Sequence, residues 1–191
     1  MAMASDRQAM KRARPKAKPL DGARLEELAL TYVARFATSA SKLERYLARK
    51  LRERGWEAEG EPDVAGLVER YVSLGYVDDA AFARARTGSL LRRGYGPRRV
   101  RQALGEAGIG EQARDEARPG EAAERRAALT LARKRGFGPF GREALDRERR
   151  EKQIAAMLRA GHRLDSAREM VDAASEQAAE RWAAEADDDE A

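Results

Sequence analysis

The chain has 191 residues, of which 42% are hydrophobic, 37% charged and only 6% aromatic. It has no cysteine, which excludes disulfides, zinc–thiolate sites and thiol catalysis, and no run of about 18 apolar residues long enough to span a membrane. The net charge of +5 is unevenly spread: residues 1–24 carry seven Lys/Arg against two Asp, and residues 176–191 carry seven Asp/Glu against one Arg, leaving about +6 on the body between them.

The segment 1–24 has no apolar centre and reads as a disordered basic arm, with Lys11, Arg12, Arg14, Lys16 and Lys18 available to phosphates. Leu25, Leu28, Ala29, Tyr32, Val33 and Phe36 then recur at helical spacing and predict one apolar stripe. Ser41-Lys42-Leu43-Glu44 reads as a capping box opening a second helix with Leu43, Tyr46, Leu47 and Leu51 inward and a stop at Gly55. Pro62 opens a third, with Val64, Leu67, Val68 and Tyr71 on its face and Gly75 at its close.

Asp78 is the expected N-cap of a fourth helix that ends near Arg93-Gly94. Gly96-Pro97 opens a fifth, burying Val100, Ala103, Leu104 and Ala107 before Gly108. A weak sixth covers about 111–118, before Pro119-Gly120. A seventh over about 121–135 stops at Gly136, Phe137–Gly141 is a turn, and an eighth runs from about 142 to Ala160 with Leu145, Ile154, Met157 and Leu158 inward. The ninth starts near Asp165-Ser166, with Ala167, Met170, Val171 and Ala174 on one face, and is expected to continue past Trp182 before the acidic tail frays.

Nine helices in three sets of three, rich in good helix formers and poor in β-formers, predict an all-α chain. Val100…Leu104…Gly108 is echoed by Ile154…Leu158…Gly161, one residue shorter at its end. Units this small bury their faces only against neighbours, so the expectation is an elongated, curved array of three tandem three-helix repeats. The boundaries are a disordered basic arm (1–24), repeats over 25–77, 78–118 and 121–176, and an acidic C-terminal tail (177–191).

Gly75-Tyr76-Val77-Asp78-Asp79 with Phe82-Ala83 is similar to the Gly-Tyr-(Leu/Ile)-Asp-Asp-x-x-Phe-Ala hallmark of the RecX family. Gly94-Tyr95-Gly96-Pro97-Arg98-Arg99-Val100, then Leu104 and Gly108-Ile109, resembles the next stretch of that family, and Ala29–Arg35 with Ser41 and Leu43 resembles its opening helix pair. The Phe137–Gly141 turn and the Arg-rich helix after it depart from the pattern. The resemblance implies a cytoplasmic, monomeric regulator that lies along the groove of the RecA filament on single-stranded DNA. It implies lowered strand exchange, ATP hydrolysis and co-protease activity, with no cofactor.

Arg84, Arg86, Arg92, Arg93, Arg98, Arg99 and Arg101 form a stretch without any acidic residue. Solvated helix faces normally mix signs, so this block is the expected contact with phosphates or an acidic filament surface. Tyr95 lies in the same stretch and has two readings, stacking on a base or filling a turn or core position. A second basic region, 125–152, holds ten Lys/Arg against four Asp/Glu.

Asp78-Asp79 has too few converging oxygens for a metal nuclease, and is read as an N-cap followed by a first-turn carboxylate that suits the helix dipole. The lone His162 follows a helix-ending glycine, and Gly94-Tyr95-Gly96 lacks the remainder of a phosphate loop. No catalytic centre is expected. The alternative to a recombinase regulator is a helical protein that binds DNA by charge alone, without regard to sequence.

Overall fold

The computed structural model describes residues 18–188; most of the expected basic arm lies outside the described residues. Nine of its ten α-helices fall into three consecutive modules. The first comprises α1 (Gly22–Arg35), α2 (Ala40–Arg54) and α3 (Val64–Ser73); the second α4 (Asp79–Arg92), α5 (Pro97–Glu106) and α6 (Glu111–Glu116). The third has α7 (Glu121–Arg135), α8 (Arg147–Arg159) and α9 (Leu164–Asp172), with one 3-10 turn at Gly138–Phe140 and an additional helix, α10 (Glu176–Asp188).

Each module has its own core. Leu25, Leu43, Leu47, Val68 and Tyr71 fill the first; Ala83, Leu90, Val100, Leu104 and Ile109 the second; Leu131, Ile154, Met157, Met170 and Val171 the third. Leu43 and Leu47 are wholly buried, and full burial of a leucine is worth about 1.5–3 kcal/mol. The all-helical row of three-helix modules is therefore as the spacing of apolar residues and glycines predicts.

The modules are joined by the same device twice. Their middle helices α2, α5 and α8 are arranged so that the N-terminus of one meets the C-terminus of the next module's. At the first joint the wholly buried Ser39 donates its hydroxyl to the Ala107 carbonyl oxygen (2.6 Å), while Arg45 donates to Glu106 O (3.0 Å). At the second, Gly96 N donates to Ala160 O (2.9 Å) and Arg98 N to Gly161 O (3.1 Å). At both, carbonyls left free at a helix end are met from the start of the preceding module's middle helix, by side-chain donors of α2 at the first joint and by backbone amides of α5 at the second, and the two dipoles align head to tail.

The contact is close because two glycines allow it. A Cβ on Gly108 would lie 2.3 Å from the Ser41 side chain, and one on Gly161 2.4 Å from Arg99 N; both residues also sit at positive φ, 76° and 97°. The corresponding end of α2, at Gly55, is met by the chain's own Leu20, whose N–H donates to Gly55 O at 2.9 Å and whose side chain is wholly buried. Lys18–Leu20 thus belongs to the first module and not to an arm. Asp21 caps α1 by accepting from Arg24 N at 2.8 Å.

Further boundaries differ from expectation. The N-cap of α2 is Ser39, not Ser41; Ser39 is held by Ala107, which draws the helix start two residues upstream and leaves Ser41 inside the first turn against Gly108. α8 begins at Arg147 because Asp146 takes the N-cap position and accepts from Arg149 N (2.7 Å), leaving Leu145 exposed. The ninth helix stops at Asp172.

The acidic segment does not fray directly after it. It forms α10, which buries Ala179, Ala183 and Ala186, chiefly along α7. Arg125 donates to Trp182 O (2.9 Å) and lies over the Trp182 ring, and Arg133 pairs with Glu180. Alanines at one-turn spacing outweigh the acidic composition, and the carboxylates find partners on α7.

Candidate interaction surface on the second module

The hallmark residues hold the second module in place. Asp78 caps α4 by accepting from Ala81 N at 2.8 Å. Asp79, expected to serve its own helix dipole, instead accepts from Ala40 N at 2.9 Å, supplying a partner to the start of α2 in the neighbouring module. Phe82 packs on the second core with the Lys42 ammonium 4.7 Å from its ring centre. Gly75 and Gly94 both have positive φ, and a Cβ on Gly94 would press on Leu131 of α7 at 3.0 Å. Tyr76 is different: 57% exposed, its ring 5.5 Å from that of Tyr71.

The seven arginines of 84–101 do not form one face. Arg84 and Arg86 diverge by about 200° around α4 at 100° per residue. Arg84, Arg86, Arg92 and Arg98 are exposed, and no carboxylate lies within ion-pair distance of them among the described residues. Arg93 is also exposed, its guanidinium 5.2 Å from the Tyr95 ring centre. Arg99 is half-buried and donates to Gln102 Oε1 (2.8 Å). Arg101 is engaged by α6, 3.2 Å from Glu111 and 3.7 Å from Asp115. For Arg101 alone the counter-charges arrive later in the chain, ten and fourteen residues on.

Tyr95 packs between the cores of the second and third modules, which is the structural of its two readings. Two residues that periodicity did not single out join the surface. Lys42 of α2 stands near Arg86 and near Arg45 of its own helix, and its ammonium is held below its ordinary pKa by burial first and then by those two cations. Only tertiary packing brings Lys42 to Arg86. Arg98 faces the opposite junction, toward the third module.

His162 is buried at that junction, its Nε2 3.0 Å from the Gly94 carbonyl oxygen. Burial lowers its pKa, and the carbonyl partly opposes the shift. It is a neutral donor in the packing of the junction.

The model of the RecX second three-helix domain matches residues 78–117. A regulatory protein RecX from Myxococcus xanthus is 31% identical over 159 residues, covering 78% of this chain and 84% of that one. One from Thermus thermophilus is 36% identical over 107 residues, covering 56% and 71%. In fold, the crystal structure of RecX from Lactobacillus salivarius is similar at a TM-score of 0.61, with 18% identity over 76% of this chain and 90% of that one.

Proposed function

The chain belongs to the RecX family of regulatory proteins, and from that premise we propose that it binds the RecA filament on single-stranded DNA and lowers its strand exchange, ATP hydrolysis and co-protease activity. The observation that carries this reading is the set of exposed guanidiniums, Arg84, Arg86, Arg92 and Arg98, that have no carboxylate partner among the described residues. Each is open to an anionic partner, and a guanidinium fork suits both phosphate and carboxylate. The role is one of occupancy, exerted by a monomer in the cytoplasm.

A purely electrostatic DNA binder is the second reading, favoured by the same arginines. Against it, Val72, Leu74 and Tyr76 at the turn from α3 to α4 are 46%, 61% and 57% exposed. Phosphates gain nothing from such an apolar patch, whereas a protein surface does.

The deciding measurement is ATP hydrolysis by the cognate RecA on single-stranded DNA, titrated with this protein. Hydrolysis falls at substoichiometric amounts if the filament is the partner. Unchanged hydrolysis at equimolar protein, with tight binding to bare DNA that weakens steeply as salt rises, would establish the second reading instead.

A further inference from the structure

Between the second and third modules lies a cleft of about 350 Å³, within the range of small-ligand sites. Its wall includes Pro97, Val100 and Leu104 of α5. Five arginines from three separate stretches of chain converge on it: Arg98 and Arg101, then Arg114 and Arg118, then Arg163.

Two carboxylates share the cleft and do not balance that charge. Asp115 is taken by Arg101 (3.7 Å). Glu124 stands near Arg118 and Arg163, beyond ion-pair distance of either, and burial makes it hold its proton more firmly than an ordinary glutamate. Arg163 has Asp165 at 3.5 Å. Arg98, Arg114 and Arg118 have no carboxylate within ion-pair distance among the described residues, and Arg114 Nε is buried without a hydrogen-bond partner. An unmet buried donor is costly, and guanidiniums facing one small cavity repel one another. A small anion relieves that repulsion, and paired N–H groups match phosphoryl oxygens two at a time.

We propose that this cleft binds a nucleotide, its phosphate on Arg98, Arg114 and Arg118 and its sugar or base against Pro97 and Pro119. The phosphate comes either from a free nucleotide or from one residue of a single strand; the chemistry of recognition is the same. The site goes beyond regulation of a recombinase, and Arg114 and Arg118 lie outside the surface assigned to that role.

The test uses the full chain alone, so it stands apart from any result with RecA. Fluorescently labelled ATP is titrated by anisotropy, with inorganic triphosphate and a short oligo-dT as competitors. Saturable one-to-one binding displaced by triphosphate is expected. Arg118→Glu and, separately, Arg114→Ala should each weaken it about tenfold or more. Arg142→Glu, an exposed change of the same charge outside the cleft, should leave it unaltered. Displacement by oligo-dT identifies a strand residue as the natural source, and its failure to displace identifies a free nucleotide. No saturable binding at millimolar nucleotide, or equal weakening by Arg118→Glu and Arg142→Glu, would overturn the proposal.

Discussion

The Ser39 hydroxyl donates to the Ala107 carbonyl oxygen across 68 residues of sequence, and the same oxygen atom of Ser39 accepts from Lys42 N at 3.3 Å. One side chain therefore caps a helix start in the first module and a helix end in the second. Ser39→Ala removes both bonds and leaves buried groups unpaired. The expected loss is about 2 kcal/mol, read as a lower urea midpoint at constant slope. Combined with Asp79→Asn, which weakens the neighbouring bond to Ala40 N, the loss should be non-additive in a double-mutant cycle.

Glycine replacements separate a left-handed backbone from a crowded joint. Gly55→Ala meets only conformational strain, since its Cβ would enter open space, and should cost about 1 kcal/mol. Gly108→Ala adds a Cβ 2.3 Å from Ser41 at nearly the same φ, and should cost about 1–3 kcal/mol more. Equal midpoints for the two variants in chemical denaturation would contradict the close joint.

Glycines, caps and apolar spacing made the modules legible, because each records a local constraint: Gly75, Gly94, Asp78 and Pro97 all stand where their chemistry placed them. The joints were not legible. Nothing in the spacing of Ser39 or Asp79 points to a partner 39 or 68 residues away, and the half-buried place of Tyr95 depends on the third module. The candidate surface was read in part: the arginines of α4 are exposed, but the counter-charges on Arg101 and the nearness of Lys42 to Arg86 arise only on folding.

The pH dependence of the second joint follows from His162. Its folded pKa is lowered from 6.5, so the unfolded chain takes up a proton at a pH where the folded one does not. Stability is therefore unaffected by this group well above pH 7, and is lost as pH falls through 6.5 toward the lower folded pKa. His162→Gln should flatten that part of the urea midpoint against pH relative to the parent chain. An identical slope in both proteins would show that the imidazole is not the titrating group.

For the arginine surface, Arg86→Glu with Arg92→Glu should raise the amount of protein needed for half-inhibition of RecA ATP hydrolysis about tenfold or more, with helical circular dichroism unchanged. The pair is exposed and has no carboxylate partner among the described residues, so loss of inhibition together with helicity would point to folding and not to contact.

Removing residues 177–191 should destabilise the third module, since α10 covers α7. Trp182→Ala alone should cost about 2 kcal/mol through its apolar contact and the Arg125 stack. A truncated chain with unaltered melting temperature would mean that α10 lies loosely on the module.

With α8, α5 and α2 all pointing one way, the protein has a direction. Rotated end for end, it offers its guanidiniums in reverse order and a different terminal face, sealed by Leu20 at one extremity and opened by Asp146 at the other. A linear partner with its own polarity is thus met in a single sense, and the two possible alignments are not equivalent in energy.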